Sequence, residues 1–300
     1  MSRFFFPILL GLLLIGPVRA DWWDLEPMPT PRSEMSAAAV GDLIYVPGGL
    51  GGMRRLEAYD TRRNRWLELQ SMPEGRHHIA IAAYQGKIYV FGGADSEWRA
   101  SDSTFVFATS DGQWSRAAPM PAVRYAAAAV SVGPFIYVVG GDGPGGNTLR
   151  YDPARNQWRV MAKNLQRREH TTAVNHFGEI MIIGGRWSGV GELASTEIFD
   201  PQDNAWRPGP ALNIARGGFT AVVHEKRIYA FGGEVMMNGN QTLASVEVLT
   251  DQGWQAAAPM PLALHGVPVV SHDGNIYVLG GSQRAGAIVN DGSAFSSADY

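Results

Sequence analysis

The 300-residue sequence contains no cysteine. No disulfide can staple it and no lipid can anchor it through an N-terminal cysteine, so stability must come from a packed core. Lysine is scarce: there are three, against 22 arginines, a skew for which codon bias is the simplest account. Positive charge is also in deficit. Without Arg3 and Arg19 the 25 basic residues become 23, against 28 acidic ones, a balance of −5. That excludes nucleic-acid binding by bulk charge. Neither a Gly-x-Ser-x-Gly elbow nor a phosphate-binding loop is present, so two common catalytic frameworks are missing.

The first twenty residues, MSRFFFPILLGLLLIGPVRA, differ from the rest. Arg3 gives a short positive start, and Phe4 to Ile15 is an apolar run too short to span a bilayer. Val18 and Ala20 occupy the −3 and −1 positions of a small-residue cleavage site. Residues 1–20 thus read as a secretory signal peptide. The mature chain, 21–300, is expected in the periplasm or outside the cell, with no membrane anchor after cleavage.

What dominates the chain is repetition. DLIYVPGG, GKIYVFGG, PFIYVVGG, GEIMIIGG, KRIYAFGG and GNIYVLGG recur at intervals of 44, 48, 44, 48 and 48 residues. A fixed period of this size identifies a repeat architecture. Trp22, Trp66, Trp114, Trp158, Trp206 and Trp254 form a second series. Ten residues after each comes Arg32, Arg76, Arg124, Arg168, Arg216 and, breaking the pattern, Leu264; the glycine pair begins sixteen residues later. Each unit shows four strand signals separated by turns such as DPARN and DPQDN. Six such units predict an all-β, six-bladed β-propeller. The sixth unit lacks a tryptophan strand after SAFSS (293–297), and Trp22 has the right spacing to supply it. Residues 21–26 are therefore expected to close the ring as the outer strand of the last blade.

The glycine pair, the aromatic before Asp, the tryptophan six residues before MP, and the arginine opening the next strand resemble kelch repeats. PMPTPR at 27–32, SMPEGR at 71–76 and PMPAVR at 119–124 carry the likeness most clearly. The resemblance implies a propeller but no particular activity. Kelch copper oxidases use a cysteine crosslinked to a tyrosine, which this chain cannot form. Exported proteins of six kelch repeats also resemble bacterial N-acetylneuraminate epimerases. That likeness implies Glu234 as a catalytic acid or base, with a carboxylate clamp drawn from the arginines. This chain differs from that pattern in having less sequence between repeats and no arginine close behind Glu234.

In a meander the loop entering the first strand and the loop leaving the second lie on one face. Arg32, Arg76, Arg124, Arg168 and Arg216 are thus expected around the channel mouth, as a ring that binds an acidic small molecule or an acidic protein segment. His78, His170 and Arg186 join them as candidate ligand-binding residues. Trp98 and Trp187 lie outside the tryptophan series and could stack on a sugar ring. His77 and His265 fall in one strand phase, His78 and His170 in the other. No three histidines point the same way, so neither a metal nor a cofactor is expected. Two readings follow: an exported binding protein for an acidic ligand or partner, and a sugar epimerase or mutarotase acting on an N-acetylneuraminate-like acid.

Overall fold

The computed structural model describes residues 22–237 and 239–285, and the backbone of 294–297; the predicted leader lies outside these. Each segment before a glycine pair forms a strand, and every side chain of that segment after the first is buried. In Lys87–Phe91, Ile88, Tyr89, Val90 and Phe91 are at most 5% exposed. A strand covered on both faces must lie between two neighbouring sheets. That is the arrangement of a β-propeller, and among the described residues there is no helix.

Among the described residues there are six four-stranded antiparallel sheets. Their inner strands are Ala38–Val40, Ala80–Tyr84, Tyr125–Val132, Thr172–His176, Thr220–His224 and Val269–His272. In five sheets the remaining strands follow in chain order. In the sixth, Ala294–Ser297 lies between Asn275–Leu279 and Trp22–Asp24, with Trp22 opposite Ser297.

Hydrophobic clusters fill the spaces between successive sheets. Tyr89 and Phe91 of the second meet Ile136 and Tyr151 of the third. Ile44 and Tyr59 of the first meet Val270 and Tyr277 of the sixth. The patterned tryptophans act across the same interfaces. Four of these indoles, Trp66, Trp114, Trp158 and Trp206, pack on the aromatic before the turn of their own sheet, Tyr59, Phe107, Tyr151 and Phe199. The patterned tryptophans also donate an N–H toward the preceding unit: Trp66 to Glu26 O, Trp114 to Gln70 O, Trp158 to Ala118 O, Trp254 to Pro210 O. Trp22 does the same with Pro259 O at 3.2 Å.

The glycine pairs have a specific cause. Both members take positive φ, 64° and 97° at Gly48 and Gly49, which L-residues with side chains resist. The second glycine donates its N–H to the carbonyl of the residue at the arginine position in the next unit. The series runs Gly49 to Arg76, Gly93 to Arg124, Gly141 to Arg168, Gly185 to Arg216, Gly233 to Leu264 and Gly281 to Arg32. A methyl on Gly48 would lie 2.5 Å from Arg76 O, so this staple requires glycine.

Candidate functional site: a polar ring at the mouth of the central cavity

The two residues after each arginine position build the mouth. The second of them, Glu34, His78, Ala126, His170, Gly218 and Gly266, is left-handed in all six repeats, with φ between 49° and 62°. Its N–H reaches the same position one repeat earlier, as in His78 N to Glu34 O, Ala126 N to His78 O, and Gly266 N to Gly218 O. Glycine is the unstrained choice there, so Glu34, His78, Ala126 and His170 hold this conformation at a cost in backbone strain. These six residues rim a cavity of about 180 Å³, whose walls lower down are small residues such as Ala80, Ala128, Ala173 and Ala221.

The side chains at the rim form one continuous network. His77 Nε2 meets the Asp95 carbonyl at 3.0 Å, and His77 Nδ1 meets His78 Nδ1. His78 Nε2 lies 3.0 Å from His170 Nε2 and 3.2 Å from Glu34 Oε2. His170 Nδ1 contacts Glu169. Arg186 donates from Nε to Glu169 (2.8 Å), from Nη1 to Glu234 (2.6 Å), and from Nη2 to His170 Nε2 (2.9 Å). His265 Nδ1 sits 3.5 Å from Glu234 and 3.6 Å from Glu34.

Burial and charge tune these groups. Burial, followed by the neighbouring His170 and His77, holds the His78 imidazole well below the usual histidine range, so it is neutral at physiological pH. Burial lowers His77 too. At Glu169 burial works upward, but the contact with His170 and the charge of Arg186 outweigh it and keep the group ionised. Burial disfavours the charge on Arg186, yet Glu169 and Glu234 together raise it above its ordinary value.

Beside this network lies an open pocket of about 400 Å³, lined by Tyr125, Asp142, Glu169, Arg186, Trp187 and Glu192 among others. Tyr125 donates its hydroxyl to Asp142 at 3.1 Å; burial, then Asp142, pushes the phenol up to about 12. Trp187 holds the Arg167 guanidinium 4.0 Å over its ring. Trp98, half exposed, packs edge-on against His77 and tilted over His78.

The arginines at the start of each unit are not where the sequence placed them. Arg32, Arg124, Arg168 and Arg216 are at most 1% exposed and point into their own sheets. Arg32 pairs with Glu57, Arg168 with Glu197 and Arg216 with Glu247, at 2.6–2.7 Å. Each also donates to the first glycine of its pair, Gly48, Gly184 or Gly232. Arg124 lacks a carboxylate partner and is held by the Gly140 and Asn147 carbonyls; burial lowers it to about 10. Arg76 turns to Glu74 and Ser101 instead. The expected cationic ring is thus a set of internal ties. Of the other candidates, the structure brings His78, His170, Arg186 and Glu234 together and sets Trp98 and Trp187 on the surrounding wall.

Comparison with known proteins fits this architecture. The KLHDC2/KLHL20/DRC7 kelch-repeats domain matches residues 25–185, and the kelch motif matches 167–213 and 215–261. The chain belongs to the kelch-repeat family. Kelch-like protein terF of Aspergillus terreus is 32% identical over 56% of the chain and 41% of its own length. Mouse Kelch-like protein 9 is 37% identical over 28% of the chain and 15% of its own length. The chain therefore spans less than half of these relatives. The solved structure of YjhT superposes with a TM-score of 0.78 over 92% of this chain and 95% of that one, at 16% identity, a likeness of fold. The kelch signature residues accordingly form the scaffold. The network at the mouth is built from positions at which the six repeats differ.

Proposed function

We propose that this kelch propeller binds a sugar-like small molecule in the pocket beside Arg186. The carrying observation is that Asp142, Glu169 and Glu192 surround one guanidinium and two aromatic rings, Tyr125 and Trp187. Three carboxylates against Arg186 and the Arg167 guanidinium stacked on Trp187 disfavour a polyanion. They suit a polyhydroxylated ligand whose hydroxyls donate to the carboxylates and whose apolar face meets an aromatic wall. At most one ligand carboxylate is accommodated, by competing with Glu169 and Glu234 for Arg186. Calorimetry on a panel of neutral and acidic sugars tests this. Asp142→Asn should weaken every ligand that binds. Arg186→Gln should weaken acidic sugars selectively, by about tenfold to a hundredfold. A wild-type protein that binds no member of the panel removes the reading.

A second reading is favoured by the pairing of Glu169 with His170 at the edge of the pocket. A carboxylate and an imidazole in contact can exchange a proton with an anomeric hydroxyl, as mutarotation of an N-acetylneuraminate-like acid requires. NMR of anomer exchange, with and without protein, distinguishes this from binding alone. We further propose that the six sheets are the blades of one closed ring, with Trp22–Asp24 completing the last, supported by its pairing with Ala294–Ser297. Cleavage after Ala20 would place the site in the periplasm or outside the cell.

A further inference from the structure

The hydrogen-bond chain around His78 and His170 assigns their tautomers. The Asp95 carbonyl can only accept, so His77 Nε2 carries the proton and His77 Nδ1 the lone pair. His78 Nδ1, in contact with that lone pair, must then be the protonated nitrogen, which leaves His78 Nε2 bare. On the other side Glu169 accepts from His170 Nδ1 and Arg186 donates to His170 Nε2, so that nitrogen presents its lone pair as well. Two nitrogen lone pairs thus face each other at 3.0 Å, with a Glu34 carboxylate oxygen 3.2 Å from the first. Of these three converging acceptors only His170 Nε2 is offered a proton, from Arg186 Nη2 at 2.9 Å; His78 Nε2 and Glu34 repel one another unless a cation lies between them.

From this convergence we propose that Glu34, His78 and His170 form a binding site for a divalent transition-metal ion, with Zn²⁺ the best match. All three donor atoms lie within 4.8 Å of one another. Donor atoms on a tetrahedral zinc ion with bonds near 2.05 Å stand about 3.3 Å apart. Two imidazoles and one carboxylate are a zinc donor set. The groups behind the ligands also fit. Glu169 orients His170 and the His77–Asp95 chain orients His78, each fixing the nitrogen that must stay unprotonated. The three ligands occupy one backbone position in three repeats, in the left-handed conformation that Gly218 and Gly266 adopt with no side chain. Arg186 is the competing cation: its Nη2 lies 2.9 Å from His170 Nε2 and must swing aside for metal to bind. The site stands independently of any sugar binding.

The test is Zn²⁺ titration of the full chain after chelator treatment, followed by calorimetry and by metal analysis of the dialysed protein. One ion per chain is expected from calorimetry and metal analysis, with a Tm that rises with free Zn²⁺. Co²⁺ in its place should give the intense visible bands of a four-coordinate site with nitrogen ligands. His78→Gly and His170→Gly install the residue that two other repeats already carry at this position, so the fold should be retained. Each should weaken Zn²⁺ binding at least a hundredfold, and Glu34→Gln about tenfold or more. His176→Gln, at the opposite end of the sheets, should change nothing. If the wild type takes up no zinc, or if the glycine variants bind it as the wild type does, the proposal is wrong and the Arg186 guanidinium is the cation this cluster holds.

Discussion

Taking the carboxylate from a sealed guanidinium leaves an uncompensated charge in the core. Glu197→Leu would do this to Arg168, since both side chains are at most 4% exposed. Breaking a buried pair from one side costs about 3–5 kcal/mol. The sixth repeat carries no charged residue at either position. Leu264 stands where the other repeats have arginine, and Phe295 holds the register place opposite Val278 that Glu57 holds opposite Val46. Arg168→Leu combined with Glu197→Phe should therefore recover most of the stability that Glu197→Leu loses. Urea denaturation of both variants checks this; equal losses would mean that pairing is not what the arginine position provides. The same residues show what spacing reveals and what it hides. Spacing fixed where the arginine backbone sits, but not which way the side chain turns. The missing sign was a glutamate 25, 29 or 31 residues downstream in the three repeats with a paired arginine. Phe105 and Leu149 hold that register place in the second and third sheets, where no such pair forms.

A strand in this fold is stabilised less by its own ladder than by what reaches across from the next sheet. The patterned tryptophans do this from the outer strands, and Trp22 follows their geometry through Pro259 O and the cluster around Tyr229 and Val278. Trp23, its neighbour of opposite phase, is 38% exposed. Trp22→Ala should lower stability by about 3–5 kcal/mol, as Trp66→Ala should, whereas Trp23→Ala should cost under 1 kcal/mol. Thermal unfolding of the three variants is the measurement, and a silent Trp22→Ala would undo the proposed closure. At this scale the sequence was informative because a repeat states each strand six times, so a weak signal in one unit is confirmed in another. The mouth is the reverse case. Glu34, Glu169 and Tyr125 each occur at their position once, and a search among histidines alone passes over a glutamate that shares the place of His78 and His170.

For the molecule as a whole, the sheets hold together through hydrophobic interfaces in which tyrosines are buried, and this ties stability to alkaline pH. Tyr59 lies in the cluster between the first and sixth sheets, Tyr151 in the one between the second and third. Each is backed by a tryptophan and donates its hydroxyl to an asparagine, Tyr59 to Asn64 at 2.6 Å and Tyr151 to Asn156 at 2.7 Å. Burial, the largest cause in both, pushes these phenols up from 10.0 to about 12. An unfolded chain ionises its tyrosines from pH 10 upward, while the folded one keeps these two protonated. Above pH 10 the unfolded state therefore binds fewer protons, and stability must fall as pH rises. The contribution is complete below pH 10 and disappears between about 10 and 12. Tm measured from pH 8 to 11.5 should stay level and then drop, and the 295 nm absorbance titration should show phenols that ionise only as the protein unfolds. Tyr59→Phe with Tyr151→Phe should start lower, through loss of the two hydroxyl bonds, and then fall less steeply. A double variant whose Tm falls as steeply as that of the wild type would place the alkaline weak point elsewhere than in these two interfaces.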